Sequence, residues 1–571
     1  MASMKKFFSI LLVFIFASIL SACFTQGENN TPQGSDQKSD QPQSSTQNSI
    51  PVALSDSVST DQNVAIQINV LANDSSLEDG PVTLAIVNNP NNGNVQINTD
   101  NSITYNPVTD YYGSDTFSYR VTDNNGDSAL ANVSLTIRCV SNCNTVVPGN
   151  TYYVRAGASG NGSGTDWSNA FNQLPDSLIR GATYLVADGS YPGRTFSDPA
   201  SGTSQIQIRK ATAADHGTNA GWNDAYGDGQ AEFGPLNFQA EYYTLDGVAP
   251  YGFKVVGGYK GTLINILNPA RHIHIKHVDA DGNFTLTNGY HTNGACSGIE
   301  IKGSDITIEA SDIHNIADDG VVVVGNQIRI LSSKIHKLHG CGTDGGCGPC
   351  FNGHSDGFEL QNTTDVEISG NMVYDIKSTS ALITGQYVAG AYTRNLTLTN
   401  NIFYTPDTGI TVYLYYVQGA RVYNNIIWGR TQGTRFGGLA IGPEMTNLDM
   451  KNNIILNINY NHLGGSYDPA EHDIDYNLFA MVDPGEYVPN THDLVGNPQF
   501  AMIPVSSDSN QHIRDNLTAV NFTLLPISPA LDAGISLPGL VDIDLIGNVR
   551  PQDGNGDGIA VWDMGALEVT Q

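Results

Sequence analysis

From about residue 297 to residue 460 the apolar and polar positions repeat one pattern. The segments SDITIEASDIHNIADDGVVVVG, NQIRILSSKIHKLHG, TDVEISGNMVYDIKSTSALITG, NLTLTNNIFYTPDTGITVYLY and GARVYNNIIWGR share it. Each holds a short alternating strand, a polar corner (SD, SS, GN, NN, NN) and a second apolar segment, and most turn into another strand. Ile313, Ile335, Val373, Phe403 and Ile427 fall at one equivalent position, with spacings of 22, 38, 30 and 24 residues. A period in the low twenties, rich in β-formers and broken by insertions, predicts a parallel β-solenoid. One coil cannot bury its own apolar row, so coils stack and the core grows along one axis.

Alternation also predicts which side chains leave the core. Aligning GIEIK, GVVVV, GFELQ, ALITG and GITVYLY sends Ile299, Val321, Phe358, Leu382 and Ile410 inward. Glu300, Lys302, Glu359, Gln361, Thr411, Tyr413 and Tyr415 then form an outward polar and aromatic stripe. Equivalent residues of stacked coils lie about 4.8 Å apart, and a dense axial stripe of this kind suits a long polymer. The tyrosines offer flat rings on which sugars stack, although Tyr is also common in strands for propensity alone.

Upstream, Pro51 to Arg138 alternates apolar residues with turn clusters every 8–12 residues, the pattern of a small β-sandwich. Ala72-Asn73-Asp74, the NPNNGNV turn, Tyr105-Asn106-Pro107, Asp115 to Tyr119 and Asp123 to Asp127 resemble bacterial cadherin-like or immunoglobulin-like repeats. Asp123, Asn125 and Asp127 read either as a hairpin turn or as calcium ligands. The expected domains are therefore 1–23, 24–50, 51–138 and 150–571, all-β throughout: a sandwich, then a β-helix with a C-terminal cap.

The N-terminus adds a location. MASMKKFF supplies positive charge, SILLVFIFASIL is too short for a spanning helix, and LSAC ends at Cys23. This resembles the lipobox of bacterial lipoproteins, which implies lipidation of Cys23 and an extracytoplasmic, lipid-anchored protein on the cell surface or outer membrane. The Gln-, Ser- and Asn-rich stretch 24–50 reads as a disordered tether. Six cysteines follow: Cys139, Cys143, Cys296, Cys341, Cys347 and Cys350. An exported chain permits disulfides among them, with a metal site in CGTDGGCGPC as the alternative. With 26 Lys and Arg against 56 Asp and Glu, the formal net charge is −30, which excludes non-specific nucleic-acid binding. A monomer is expected.

Candidate chemistry gathers at two turns of adjacent coils, Ala317-Asp318-Asp319-Gly320 and Gly353-His354-Ser355-Asp356-Gly357. Asp319 and Asp356 align, Asp318 sits beside them, and His339 and Lys377 fill the next column, level with Ala317. Crowded carboxylates need a cation, or one of them keeps a proton. Calcium satisfies the first requirement with hard oxygen ligands; general acid–base catalysis follows from the second. A second candidate calcium loop is Asp553, Asn555 and Asp557, with Asp563 completing it, and structural calcium is favoured here over a Gly-rich surface turn.

Tyr152 to Leu174, GATYLVADGSYPG and the ending NPQFA, ISPALDAG, VDIDLIGNVRPQDGNGDGIAVWDMGALE resemble secreted right-handed β-helix proteins of the pectin-lyase-like superfamily. The likeness covers about residues 150–570. It implies a capping helix and strand at the start, and a polysaccharide lyase or glycoside hydrolase. GHSDGF and ADDG resemble the calcium-site turns of family nine pectate lyases, in reversed chain order. That likeness implies Asp318, Asp319 and Asp356 as ligands and Lys377 as base, for calcium-dependent β-elimination of a uronate-containing polysaccharide. Polygalacturonases have an NTDG, a DD and a GHG motif; here Ser297 stands at the first Asp. On that alternative, Asp319 and Asp356 are acid and base of an inverting hydrolase. A non-catalytic adhesin or glycan-binding surface protein is the third expectation.

Overall fold

The computed structural model describes residues 50–569 except 78–79, 91, 109–112, 139–150, 249, 258–260, 284–285, 288–289, 292–294, 340–354, 378, 386–390, 407–409, 430–436, 443, 457, 460–470, 481–487 and 503–516. Cys23, His354, Cys139, Cys143, Cys341, Cys347 and Cys350 therefore lie outside the described residues. Cys296 is disulfide-bonded.

Short runs of β-branched residues, each ended by a residue that tolerates left-handed backbone, build the larger unit. A coil runs through three strands, for example Asp312–Ile316, Val321–Val323 and Asn326–Leu331, before the next begins at Lys334–Leu338. Stacked coils form three parallel sheets of twelve, ten and twelve strands among the described residues, called here the first, second and third in the order a coil visits them. This is a right-handed parallel β-helix. Ile313 pairs with Ile335, Ile335 with Val373, Val373 with Phe403 and Phe403 with Ile427. All five are fully buried, so the equivalence read from the sequence is the physical register. On the second sheet Ile299, Val321, Phe358 and Leu382 stack inward as expected. Val412, not Ile410, continues that row; Ile410 sits two residues earlier in the chain.

The polar corner between the third and first sheets carries a ladder of side chains pointing into the core. Each accepts the backbone N–H of the rung before it. Ser311 donates to Ser333 Oγ (3.1 Å), Ser333 to Asn371 Oδ1 (2.9 Å) and Asn371 to Asn401 Oδ1 (2.9 Å). The series continues from Asn401 to Asn425 (3.0 Å), Asn453 (2.9 Å) and Asn477 (3.0 Å), and ends at Asp493 (2.8 Å). The amide nitrogens are used as well: Asn425 Nδ2 donates to Leu398 O, Tyr423 O and Asn453 Oδ1. Buried polar groups are thereby satisfied at every rung.

The residue before each rung turns the corner. Asn400, Asn424 and Asn452 have φ of 53°, 54° and 58°, a conformation Asn adopts more readily than most residues. Their side chains face outward and bind the C-terminal segment. Asn400 Nδ2 donates to Ile543 O (2.7 Å), Asn424 Nδ2 to Asp563 O (3.1 Å) and Asn452 Nδ2 to Ile535 O (2.7 Å). Arg550 and Glu568, both fully buried, pair within that segment, and Arg550 Nη2 donates to Asn400 Oδ1 at 3.2 Å.

At the other end Leu174 and Leu178 join the core, while Trp167 packs in a separate cluster with Tyr153, Leu185 and Ala211, its Nε1 donating to His216 O at 2.9 Å. The capping helix implied by resemblance is absent: residues 155–182 hold turns and bends. Residues 56–138 form the sandwich. A four-stranded sheet (Asp56–Asp61, Ser128–Arg138, Gly113–Thr122, Thr83–Asn88) accompanies a three-stranded one (Ile66–Ile68, Ile103–Pro107, Gly93–Ile97). Asp123 Oδ1 accepts from the N–H groups of Asn125, Gly126 and Asp127, which is the turn reading of that motif.

Two predictions follow from this architecture. Replacing Asn425 with Ala strands several buried partners, so it is expected to destabilise the β-helix by about 3 kcal/mol or more, read by chemical denaturation. Asp246 tests the charge arrangement. Burial pushes its carboxyl up, but the His277 hydrogen bond and Lys276 outweigh that and hold it at about 2 against the usual 3.8. Its stabilisation is present above pH 3.8 and lost as pH falls toward 2. Asp246→Asn is expected to remove the part of an acid-unfolding curve that falls in that window.

Candidate functional site

The turn from the first to the second sheet brings the predicted acidic residues together. Val321 pairs with Phe358, which sets Asp319 level with Asp356. The backbone fixes this: Gly320 N donates to Asp356 O at 2.9 Å, and Gly298 N to Asp319 O at 3.0 Å. Asp319 Oδ1 accepts the N–H of Asp356 at 2.9 Å, and Asp356 Oδ1 accepts from the hydroxyl of Ser380. A column Ser297, Asp319, Asp356, Ser380 therefore climbs the corner. Asp319 and Asp356 are 5% and 2% exposed, and Asp318 is half-buried.

The neighbouring column stands as expected. Ile316, Leu338 and Ile376 are paired, so Ala317, His339 and Lys377 share one level. His339 N donates to Ile316 O and Lys377 N to Leu338 O. His339 is buried and its Nε2 lies 3.3 Å from Asp375 Oδ2, on a side chain 1% exposed. Lys377 is exposed. Asp375 was missed by sequence reasoning. It has φ 52°, in a kink of the Met372–Ile376 strand that Asn315 and Lys337 repeat at 56°. That kink changes the alternation on which the inward–outward assignment relied.

The outward row of the second sheet is less uniform than expected. Glu300, Val322, Glu359, Ile383 and Tyr413 stack in that order, so two apolar residues interrupt the polar stripe. Glu300 pairs with Lys302 at 2.7 Å, Glu359 is 4% exposed, and Gln361 and Tyr413 are half-buried. Thr411 is buried, its hydroxyl donating to Gly437 O at 3.1 Å. Tyr415 cannot serve as a stacking platform. It is 5% exposed, and its ring packs so closely on Gly442 that a Cβ there would meet Cδ1 at 1.7 Å.

Among the described residues no group of three or more His, Cys, Asp or Glu side chains is arranged to hold a metal ion. At the corner, oxygens of Asp319 and Asp356 are already turned onto the next coil. In the C-terminal loop, Asp553 accepts from Gly556 and Gly558, Asn555 from Asp557, and Asp557 from Ile559. Asp563 does not complete that loop. Its two oxygens accept the N–H groups of Asp532 (2.7 Å) and Val569 (2.8 Å), and burial pushes its carboxyl up to about 6.

A second polar cluster on the first sheet had no signal in the sequence beyond scattered His and Asp. His314 and His336 stack at 5.1 Å, and His336 on Tyr374 at 4.8 Å. Each imidazole is held by a carboxylate at 2.8 Å, Asp279 for His314 and Asp312 for His336. Burial pulls both histidines down; Asp279, Asp312 and Asp281 reverse this for His314, whereas His336 stays below the usual value.

A bacterial Ig domain family, Big_9, matches residues 48–136, the sandwich region. The chain is similar to pectate lyase Pel9A, with 13% identity and a TM-score of 0.42, over 73% of this chain and 96% of that one. It is also similar to a family 28 exopolygalacturonase of Yersinia enterocolitica, with 12% identity and a TM-score of 0.30, over 70% and 73%. No curated protein matches the chain.

The corner separates a structural from a chemical role for Asp319. Asp319→Asn keeps an oxygen for the Asp356 N–H and is expected to leave the thermal midpoint nearly unchanged, whereas Asp319→Ala strands that donor and costs about 1–3 kcal/mol. Calorimetry of the two variants distinguishes them.

Proposed function

We propose that the β-helix cleaves a polysaccharide at the corner between its first and second sheets. One observation carries this reading. Asp319, Asp356 and the His339–Asp375 pair are buried in three successive coils, beside the exposed cation Lys377. A β-helix corner needs only small or polar turn residues. Ionisable groups buried there cost stability, and such clusters concentrate where chemistry is done.

The reading favoured is β-elimination of a uronate-containing chain. Lys377 in its neutral form takes the proton next to the uronate carboxylate. The electron pair forms the ring double bond, the glycosidic C–O bond breaks, and the leaving oxygen takes a proton. Lys377 is favoured as the acceptor because it stands open to substrate, while oxygens of Asp319 and Asp356 are engaged between coils. The same engagement counts against the hydrolase alternative, in which one of those carboxylates holds the attacking water. The lipid anchor at Cys23 and a cell-surface location remain part of the proposal.

The test is incubation of the purified chain with anionic and neutral polysaccharides, with and without EDTA, following ultraviolet absorbance of an unsaturated product and reducing ends. Lys377→Ala is expected to lower the rate about 10²–10⁴-fold, the range for loss of a general base. Reducing ends without absorbance favour hydrolysis. No cleavage of any polysaccharide, or a Lys377→Ala variant as active as the parent, overturns the reading. A rate lost in EDTA brings in a metal held partly by residues beyond those described.

A further inference from the structure

A different face of the β-helix carries a groove that the corner chemistry does not use. It runs along the outside of the third sheet and encloses about 900 Å³. One wall is the column of residues that opens each third-sheet strand. Within the groove this column reads Asp305, Gln327, Asp365 and Asn395, then Gly419 and Asn447. Six coils at about 4.8 Å per step give a length of roughly 24 Å. Beyond Asp305 the same column continues with His272 and Tyr242, whose half-buried rings stack at 4.4 Å and 19°.

Backbone demands explain only part of this column. All eight positions have positive φ, between 52° and 81° for the seven from His272 to Asn447 and 61° for Tyr242. Gly, Asn, Asp and His suit that conformation; Tyr and Gln adopt it less readily. Tyr242 and Gln327 therefore hold positions that turn chemistry alone would fill otherwise. What the column adds is a flat ring pair followed by a row of amide and carboxylate groups, the donors and acceptors that match hydroxyls. Gly419, lacking a side chain, leaves a dip in the wall.

Charge selects the ligand. The groove is lined by Asp305, Asp365, Glu367 and Asp449 against Arg329 and Arg421. Arg329 is already paired with Glu367 at 2.9 Å. The surplus is negative, so a polyuronate is repelled. We infer that this groove binds a neutral, hydroxyl-rich glycan strand lying along the helix axis, with Tyr242 and His272 as its stacking end. This site is separate from the proposed cleavage corner and does not rest on it.

The experiment is affinity electrophoresis of the full chain in gels containing xylan, mixed-linkage β-glucan or polygalacturonate. At least one neutral glycan is expected to retard the parent chain, and polygalacturonate is not expected to do so through this groove. Tyr242→Ala and, independently, Gly419→Asn are expected to weaken retardation about tenfold. The second variant places in the dip a residue that its neighbours Asn395 and Asn447 already carry in the same backbone conformation, and thermal unfolding checks that both variants fold. Lys377→Ala is expected to bind like the parent chain, which separates this site from the corner. Absence of retardation by any neutral glycan, retardation unchanged in both groove variants, or polygalacturonate binding that these variants abolish overturns the inference.

Discussion

The ladder of inward-pointing polar side chains is the constraint on which the β-helix depends. A hydrophobic core has no preferred height along its axis; Ile on Ile stacks equally well one coil up or down. A buried amide is different, because an unmet donor or acceptor in the core is costly. From Ser311 to Asp493 each rung must meet the next, so each coil has one permitted height. Every later alignment, including Asp319 level with Asp356 and His339 level with Lys377, inherits its precision from this row. Insertions of very different length between the first and second sheets are tolerated because the ladder lies at another corner and restores the register after each.

That explains what could be read from the sequence. The apolar rows were legible because burial on one face imposes alternation, and the doublets at Asn400-Asn401 and Asn424-Asn425 were legible as corners. The register carries from those rows to the acidic turns and sets Asp319 beside Asp356. Alternation failed where the backbone leaves the β region. Asp375 lies in a kinked strand, so its burial against His339 had no periodic signature. Val412, not Ile410, stands opposite Leu382. Tyr415 followed the expected parity, but its burial depends on Gly442 one coil away, and nothing local announces that contact.

The C-terminal loop shows the limit of motif spacing. Oxygen-bearing residues at alternate positions describe a calcium loop, yet the same spacing describes a chain of side chain-to-backbone turns. Asp553, Asn555 and Asp557 make the second. Asp563, two residues after the bridge at Gln552–Val561 closes, accepts from the N–H of Val569. Spacing cannot report which way a carboxylate turns once the neighbouring backbone supplies donors.

The paired asparagines do two jobs at one corner. The inner one fixes the coil; the outer one, on left-handed backbone, grips the tail at Ile535, Ile543 and Asp563. The outer amides rise in step with the inner ones, so the tail reaches all three only when the coils beneath are in correct register. A coil threaded one rung out of place offers its amide at the wrong height, and the segment carrying Arg550 and Glu568 finds no seat. The seating of this segment thus reports the stacking of the coils it spans, since Asn400, Asn424 and Asn452 hold it at three separate heights.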